Sequence, residues 1–270
     1  MAQVQQSILP ADYKWPMHGG RVIGRILKEN GIKYVFGVMG GHQYALEPGF
    51  YEHGIKRIHV RHEQAGAYAA DAYARCTRTP GICYATAGPG MTNAVSGINQ
   101  AFLARSPVVA LFGQHPRVQS LLDPFQEGYP AEVCQTMAKW TKFVEEGRLI
   151  PMYLRKALRD SMIYPPGPVV LAWDPQTLEP ALEEKALFWD TPNSQKSKPL
   201  PTLADPQGVE EAVRMLIQAE KPVIVAGDGV YWADAASELQ KLVEFLQIPT
   251  NTRRLGRGSV PEDHGLAIHS

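Results

Sequence analysis

Glu63 opens the run Glu63-Gln64-Ala65-Gly66-Ala67-Tyr68-Ala69-Ala70-Asp71-Ala72-Tyr73-Ala74-Arg75, with a small residue at nearly every turn. A carboxyl group in the first turn of a helix is favoured by the dipole, a purely structural use. Half-buried among alanines, the same group would instead be poised to exchange a proton. Gly40-Gly41-His42 sets an imidazole at the edge of a glycine turn, where a lone histidine is more often structural than catalytic. Gly88-Pro89-Gly90-Met91-Thr92-Asn93 follows an apolar run ending near Thr86. Glycines at such a strand-to-helix turn let the backbone approach a ligand closely, although a plain tight turn accounts for them equally well. Gln114-His115 closes another apolar run, where exposure alone explains both residues. The remaining histidines (His18, His53, His59, His264, His269) show no ligand spacing and are read as surface or strand residues. Cys76, Cys83 and Cys134 share no metal or redox spacing, so no metal site is expected within the chain.

These residues need elements to hold them. His18 to Asn30 has the period of an opening helix, with Val22, Ile23, Ile26 and Leu27 on one face and Gly31 at the stop. Short apolar runs at Tyr34–Val38, Arg57–Val60, Ile82–Ala85, Val108–Phe112 and Val169–Ala172 read as strands. Helical patterns at Tyr44–Glu52, Glu63–Arg75, Met91–Ala104 and Leu149–Ile163 separate most of them. Strands alternating with helices predict an α/β fold, a mainly parallel sheet flanked by helices. In such sheets ligands gather beyond the carboxyl ends of the strands. Those ends are the turns at Gly40-Gly41-His42, Arg61-His62-Glu63, Ala87–Gly90 and Gly113-Gln114-His115.

The 270 residues carry 27 basic and 27 acidic side chains, 44% apolar and 20% charged, as in a folded globular protein. Zero net charge without a basic run argues against binding nucleic acid or a membrane surface. The longest stretch free of charge, Thr79 to Ala104, holds two prolines and four glycines and is not read as a membrane span. Residues 1–16 lack the order of a secretion signal, and with the odd cysteine count this points to a cytoplasmic protein. The expected organisation is an N-terminal arm at 1–16, a first domain at 17–178, a linker at 179–205 and a partial second α/β domain at 206–270. There Asp205-Pro206 caps a helix with Val209, Val213, Leu216 and Ile217 inside, followed by strands at Pro222–Ala226 and Ile248–Asn251 and a helix at Ala235–Leu246.

In their order, Phe36-Gly37-Val38-Met39-Gly40-Gly41, the Arg61–Arg75 block and Ala87–Asn93 resemble the pyrimidine-binding domain of thiamine-diphosphate enzymes. The branch is similar to acetolactate synthase, whose active-site border also resembles Gly113-Gln114 through Asp123-Pro124-Phe125-Gln126-Glu127. The resemblance covers roughly residues 17–270 and extends from Asp205 into the first half of that family's central domain. It implies that Glu63 protonates the aminopyrimidine ring at N1′, which drives removal of the thiazolium C2 proton so that this carbon attacks a carbonyl. It also implies that Gly40, Gly41, Gly88 and Asn93 line the pyrimidine side, and that Phe125 and Gln126 form the pocket wall.

Two features depart from the acetolactate synthase pattern. Where that branch carries Tyr-Pro-Gly-Gly, this chain has Val38-Met39-Gly40-Gly41 followed by His42, and benzaldehyde lyase has a histidine in the matching place. His42 and Gln114 are therefore the candidates for substrate proton handling, with His115 near the pocket. The family's diphosphate-and-magnesium domain, marked by Gly-Asp-Gly…Asn, does not occur in these residues; Gly227-Asp228-Gly229 has no asparagine at the required distance. The expectation is the N-terminal subunit of a split carboligase, lyase or 2-oxoacid decarboxylase acting on a small carbonyl substrate. A second polypeptide would carry the rest of the central domain, the diphosphate-binding domain and Mg2+ in a hetero-oligomer. The central domain would take a nucleotide such as FAD or ADP. Two alternatives stand beside this: a 2-hydroxyacyl-CoA or oxalyl-CoA lyase subunit, with Arg253, Arg254 and Arg257 at a nucleotide groove although a solvated loop is their simpler reading, and a non-catalytic nucleotide-binding regulatory subunit.

Overall fold

The computed structural model describes residues 16–190 and 203–268. Most of the expected N-terminal arm, residues 191–202 of the expected linker, and His269 lie outside the described residues. The chain divides into two compact units, Met1–Pro199 and Leu200–Ser270, which are taken separately here.

In the first unit the order is β1 (Met17–His18), α1 (Gly19–Glu29), β2 (Tyr34–Gly37), α2 (Leu46–Glu52), β3 (Lys56–His59), α3 (Glu63–Thr77), β4 (Gly81–Ala85), α4 (Pro89–Leu103) and β5 (Val108–Gly113). There follow α5 (Pro130–Val133), β6 (Trp140–Phe143), α6 (Ile150–Met162), β7 (Val169–Trp173), α7 (Pro175–Leu178) and β8 (Ala181–Leu182). Six strands form a parallel sheet in the order β3-β2-β4-β5-β7-β6. All five apolar runs read as strands are in it. The sixth, β6, is an edge strand whose Trp140-Thr141-Lys142-Phe143 is only half-buried, so it has no continuous apolar run to betray it.

Alternate strand residues feed two cores, as the two-residue period requires. Ile82, Tyr84, Val109 and Leu111 pack with Val22 and Ile26 of α1, Leu46 and Phe50 of α2, and Leu154 and Leu158 of α6. Cys83, Ala85, Ala110 and Phe112 pack on the other face, under Ala67 and Ala70 of α3 and Ala94 and Ile98 of α4. The first part of the stretch read as a linker is tied to this unit. β8 pairs antiparallel with β1, and Asp190 meets Arg25 and Arg155 in a largely buried ion cluster with Glu29.

Helix α1 begins where His18 accepts a hydrogen bond from the Arg21 amide, at 3.4 Å, so His18 is a cap rather than an idle surface residue. His53 is buried, not on the surface, because it closes α2 where that helix lies against α1. Burial is the main cause of lowered pKa values at His18, His42 and His53. The unfolded chain therefore binds more protons than the folded one near the ordinary histidine value of about 6.5. Their contribution is present above that value and lost as pH falls through the lower folded-state values. The urea midpoint, followed by circular dichroism, should fall between pH 7.5 and pH 5.5; a constant midpoint would contradict the burial of these rings.

The second unit contains α8 (Pro206–Gln218), β9 (Ile224–Ala226), α9 (Asp228–Trp232), α10 (Ala236–Leu246) and β10 (Thr250–Thr252), with β9 and β10 parallel. Asp205 caps α8 as expected, accepting from the Gly208 amide at 3.0 Å. The expected inside face of α8 is not inside: Val209, Val213 and Ile217 are 49%, 44% and 68% exposed, and Leu216 is only partly covered. The apolar period is right, but a two-stranded sheet offers too little surface to cover it.

Candidate active site

The turns after β2, β4 and β5 meet at the carboxyl end of the sheet. Glu63 is the first residue of α3, behind His62, whose ring accepts from the Gln64 amide at 3.3 Å. Helix α3 lies low on the sheet because Gly66 faces Gly37; a Cβ on Gly66 would stand 3.0 Å from the Gly37 Cα. The Glu63 carboxylate is half-buried and reaches the first turn of α4. Asn93 donates its Nδ2 hydrogen to Glu63 Oε2 at 3.0 Å. Oε1 faces Gly90, where a Cβ would lie 3.4 Å away.

Thr86 links this carboxylate to the histidine. A Cβ on Gly90 would be 2.7 Å from Thr86 Cγ2, and Thr86 Oγ1 lies 3.4 Å from His42 Nδ1. His42 stands on the short helical turn Gly41–Gln43, with the Gln126 side chain near its ring. Gly113 is its floor, since a Cβ there would sit 3.2 Å from the His42 Cβ. Burial pushes the imidazole below its ordinary value, nearby His115 adds to this, and the Gln126 side chain opposes it. The ring is therefore neutral near pH 7 and able to accept a proton. Gly88, at φ +58°, brings the backbone against Gln126, whose carbonyl oxygen would be 2.9 Å from any Cβ.

The structure thus joins Glu63, Asn93 and Gly90 to His42, Gln126 and Gly88, with Gly40 backed against Thr86. Gly41 opens outward, with only Tyr44 Cε2 within 4 Å of its built Cβ, at 3.9 Å. Gln114 is buried, and its Oε1 has no hydrogen-bond partner among the described residues. His115 is fully buried inside its own loop. Its Nδ1 accepts from the Gly128 amide at 3.3 Å, which leaves the proton on Nε2, 2.9 Å from Ser120 Oγ. Both nitrogens are thereby spent on the loop. Phe125 is exposed. Thr86 escaped the sequence reading because a threonine at a strand end is ordinary; its only signal is its place just before the glycine turn.

In the second unit Arg253, Arg254 and Arg257 are exposed, and Arg257 pairs with Glu262 at 3.0 Å. Asp228 of Gly227-Asp228-Gly229 accepts from the Leu255 amide at 3.2 Å and so pins a loop. Among the described residues no three His, Cys, Asp or Glu side chains come together as a metal site, and no helix is long and apolar enough to cross a membrane.

Residues 17–136 match the family profile "Thiamine pyrophosphate enzyme, N-terminal TPP binding domain", and residues 209–270 match "Thiamine pyrophosphate enzyme, central domain". Over 256 residues the chain is 36% identical to a probable acetolactate synthase large subunit of Methanocaldococcus jannaschii, covering 93% of this chain and 43% of that protein. It is 33% identical to an acetolactate synthase large subunit of Mycobacterium tuberculosis, covering 93% and 45% respectively. A chloroplastic acetolactate synthase of Arabidopsis thaliana is also 33% identical, covering 94% of this chain and 38% of the relative. The chain spans less than half the length of these relatives.

Proposed function

The chain belongs to the thiamine pyrophosphate enzyme family, on its acetolactate synthase-like branch, and from that premise we propose that it forms the pyrimidine-binding half of an enzyme that makes or breaks a carbon–carbon bond beside a carbonyl. The observation that carries this reading is the Glu63 carboxylate. One oxygen is held by Asn93 at 3.0 Å, and the other has no hydrogen-bond partner among the described residues. A half-buried carboxyl with one committed and one available oxygen suits a ring nitrogen that must gain and lose a proton. The open side of Gly41 leaves room for a flat ring close to the backbone, while the missing side chains of Gly40 and Gly88 make room for Thr86 and Gln126 beside it.

Thiamine diphosphate, when bound, supplies an acidic carbon and an electron-accepting ring. In the proposed roles, Glu63 holds and returns the proton at the pyrimidine nitrogen, and Asn93 fixes the carboxyl's direction. His42, neutral and beside Gln126, takes or gives a proton at the substrate's oxygen. Gln114 offers its unpartnered oxygen as an acceptor, and Phe125 adds an apolar wall.

The proposal extends to the rest of the assembly. Mg2+ and the diphosphate are held by protein outside these residues, and the second unit takes a nucleotide such as FAD or ADP. Support for the nucleotide is the match to the central domain. Free thiols at all three cysteines fit a reducing, cytoplasmic setting.

Copurification from the native source, followed by cofactor assay, tests this reading. Thiamine diphosphate and magnesium should accompany the assembled protein, which should release carbon dioxide from a 2-oxoacid or join two carbonyl compounds. Tight cofactor binding by residues 1–270 alone, or an assembled protein that binds none, would overturn it.

A further inference from the structure

The loop from Gln114 to Tyr129 has the length of a compact surface loop whose ends are brought together by its own side chains. Arg117 anchors its start, since its backbone amide donates to Asp174 Oδ2 at 3.1 Å and its guanidinium pairs with the same buried carboxylate. His115 bridges Ser120 and Gly128. Three non-glycine residues of the loop, Leu121, Asp123 and Gln126, have positive φ values of 65°, 50° and 59°. Such backbone persists only where the surroundings hold it.

Glu127 is the group that does so. Its Oε1 accepts the Leu121 amide at 2.8 Å and the Tyr129 hydroxyl at 2.5 Å, tying the first strained residue to the end of the loop. Gln126 stands between these fastenings, with its backbone packed on Gly88 and its side chain near the His42 ring. We propose that Glu127 is a positioning residue: a carboxylate clasp that holds the 114–129 loop in the shape that presents Gln126 to His42. Its catalytic consequence rests on the roles proposed above for His42 and Gln126; the clasp itself does not.

Hydrogen exchange of the intact protein, read over residues 119–128, tests the clasp without turnover. Glu127→Ala should speed exchange at the Leu121 amide about tenfold or more. Glu127→Gln, whose carbonyl oxygen accepts the same two hydrogen bonds, should stay within about threefold of the wild type. In the cofactor-loaded enzyme, Glu127→Ala should lower kcat about tenfold with a smaller change in KM, and Glu127→Gln should restore it. A melting temperature close to the wild type separates this from general unfolding. Unchanged exchange in Glu127→Ala, or a Gln variant as impaired as the Ala variant, would overturn the clasp, and faster exchange with unchanged kcat would overturn its positioning role. Failure of the proposed function has a different sign: Glu63→Gln then retains turnover, whatever the exchange shows.

Discussion

Glu63→Gln is expected to lower kcat of the assembled, cofactor-supplied enzyme by about a thousandfold, within the range in which positioned acid–base groups act. Glutamine has almost the same size as glutamate, and its Oε1 can still accept the Asn93 hydrogen, so the contact at 3.0 Å survives. An amide cannot give and take back a proton, so only that capacity is lost. Because Glu63 is half-buried and its burial does not hold the core together, the melting temperature should remain near that of the wild type. Steady-state rates with a 2-oxoacid donor, taken alongside a melting curve, decide the matter. If the variant kept more than about a tenth of the wild-type rate, general acid–base catalysis by Glu63 would be excluded.

The largest stability effect is expected at the crossing of α1 and α2. Gly20, Gly24 and Gly49 let the two helices approach until backbone meets backbone. A Cβ on Gly24 would stand 2.2 Å from the Gly49 carbonyl oxygen, which cannot swing aside as a side chain can. Two effects oppose one another in Gly24→Ala. Helix propensity favours alanine by about 1 kcal/mol. Overpacking a tight contact costs about 1–3 kcal/mol, more where the obstacle is backbone, and here it must displace a whole helix. With the cost at the top of that range because the obstacle is backbone, a net loss of about 2 kcal/mol follows, with a melting temperature lower by about 4–8 °C for a unit of this size. Gly265→Ala is the control, since nothing among the described residues lies within 4 Å of its built Cβ, and it should melt within a degree or two of the wild type. A Gly24→Ala protein as stable as that control would show that the helices can separate freely.

The elements that were legible in the sequence are those whose signal is local. Val22, Ile23, Ile26 and Leu27 repeat at helical spacing and are fully buried, and the five apolar runs became five strands of one parallel sheet. The less visible features depend on neighbours far along the chain. β6 is half polar because it lies at an edge, and the apolar face of α8 is exposed because so little sheet lies beneath it. No local pattern distinguishes those situations from their opposites.

The site divides in the same way. The sequence offered Glu63, the glycine turns and His42 as candidates at the rim where parallel sheets collect ligands, each beside an ordinary structural reading, and only the resemblance of their order to a family implied roles for them. Tertiary structure decided which groups touch. Asn93 meets Glu63 across 30 residues and Thr86 meets His42 across 44, while His115, next to Gln114 in sequence, turns into its own loop. Spacing reports which face of an element is buried, a property of a few successive residues. A hydrogen bond between two turns depends on where separate strands end in space, and that is settled only when the sheet assembles.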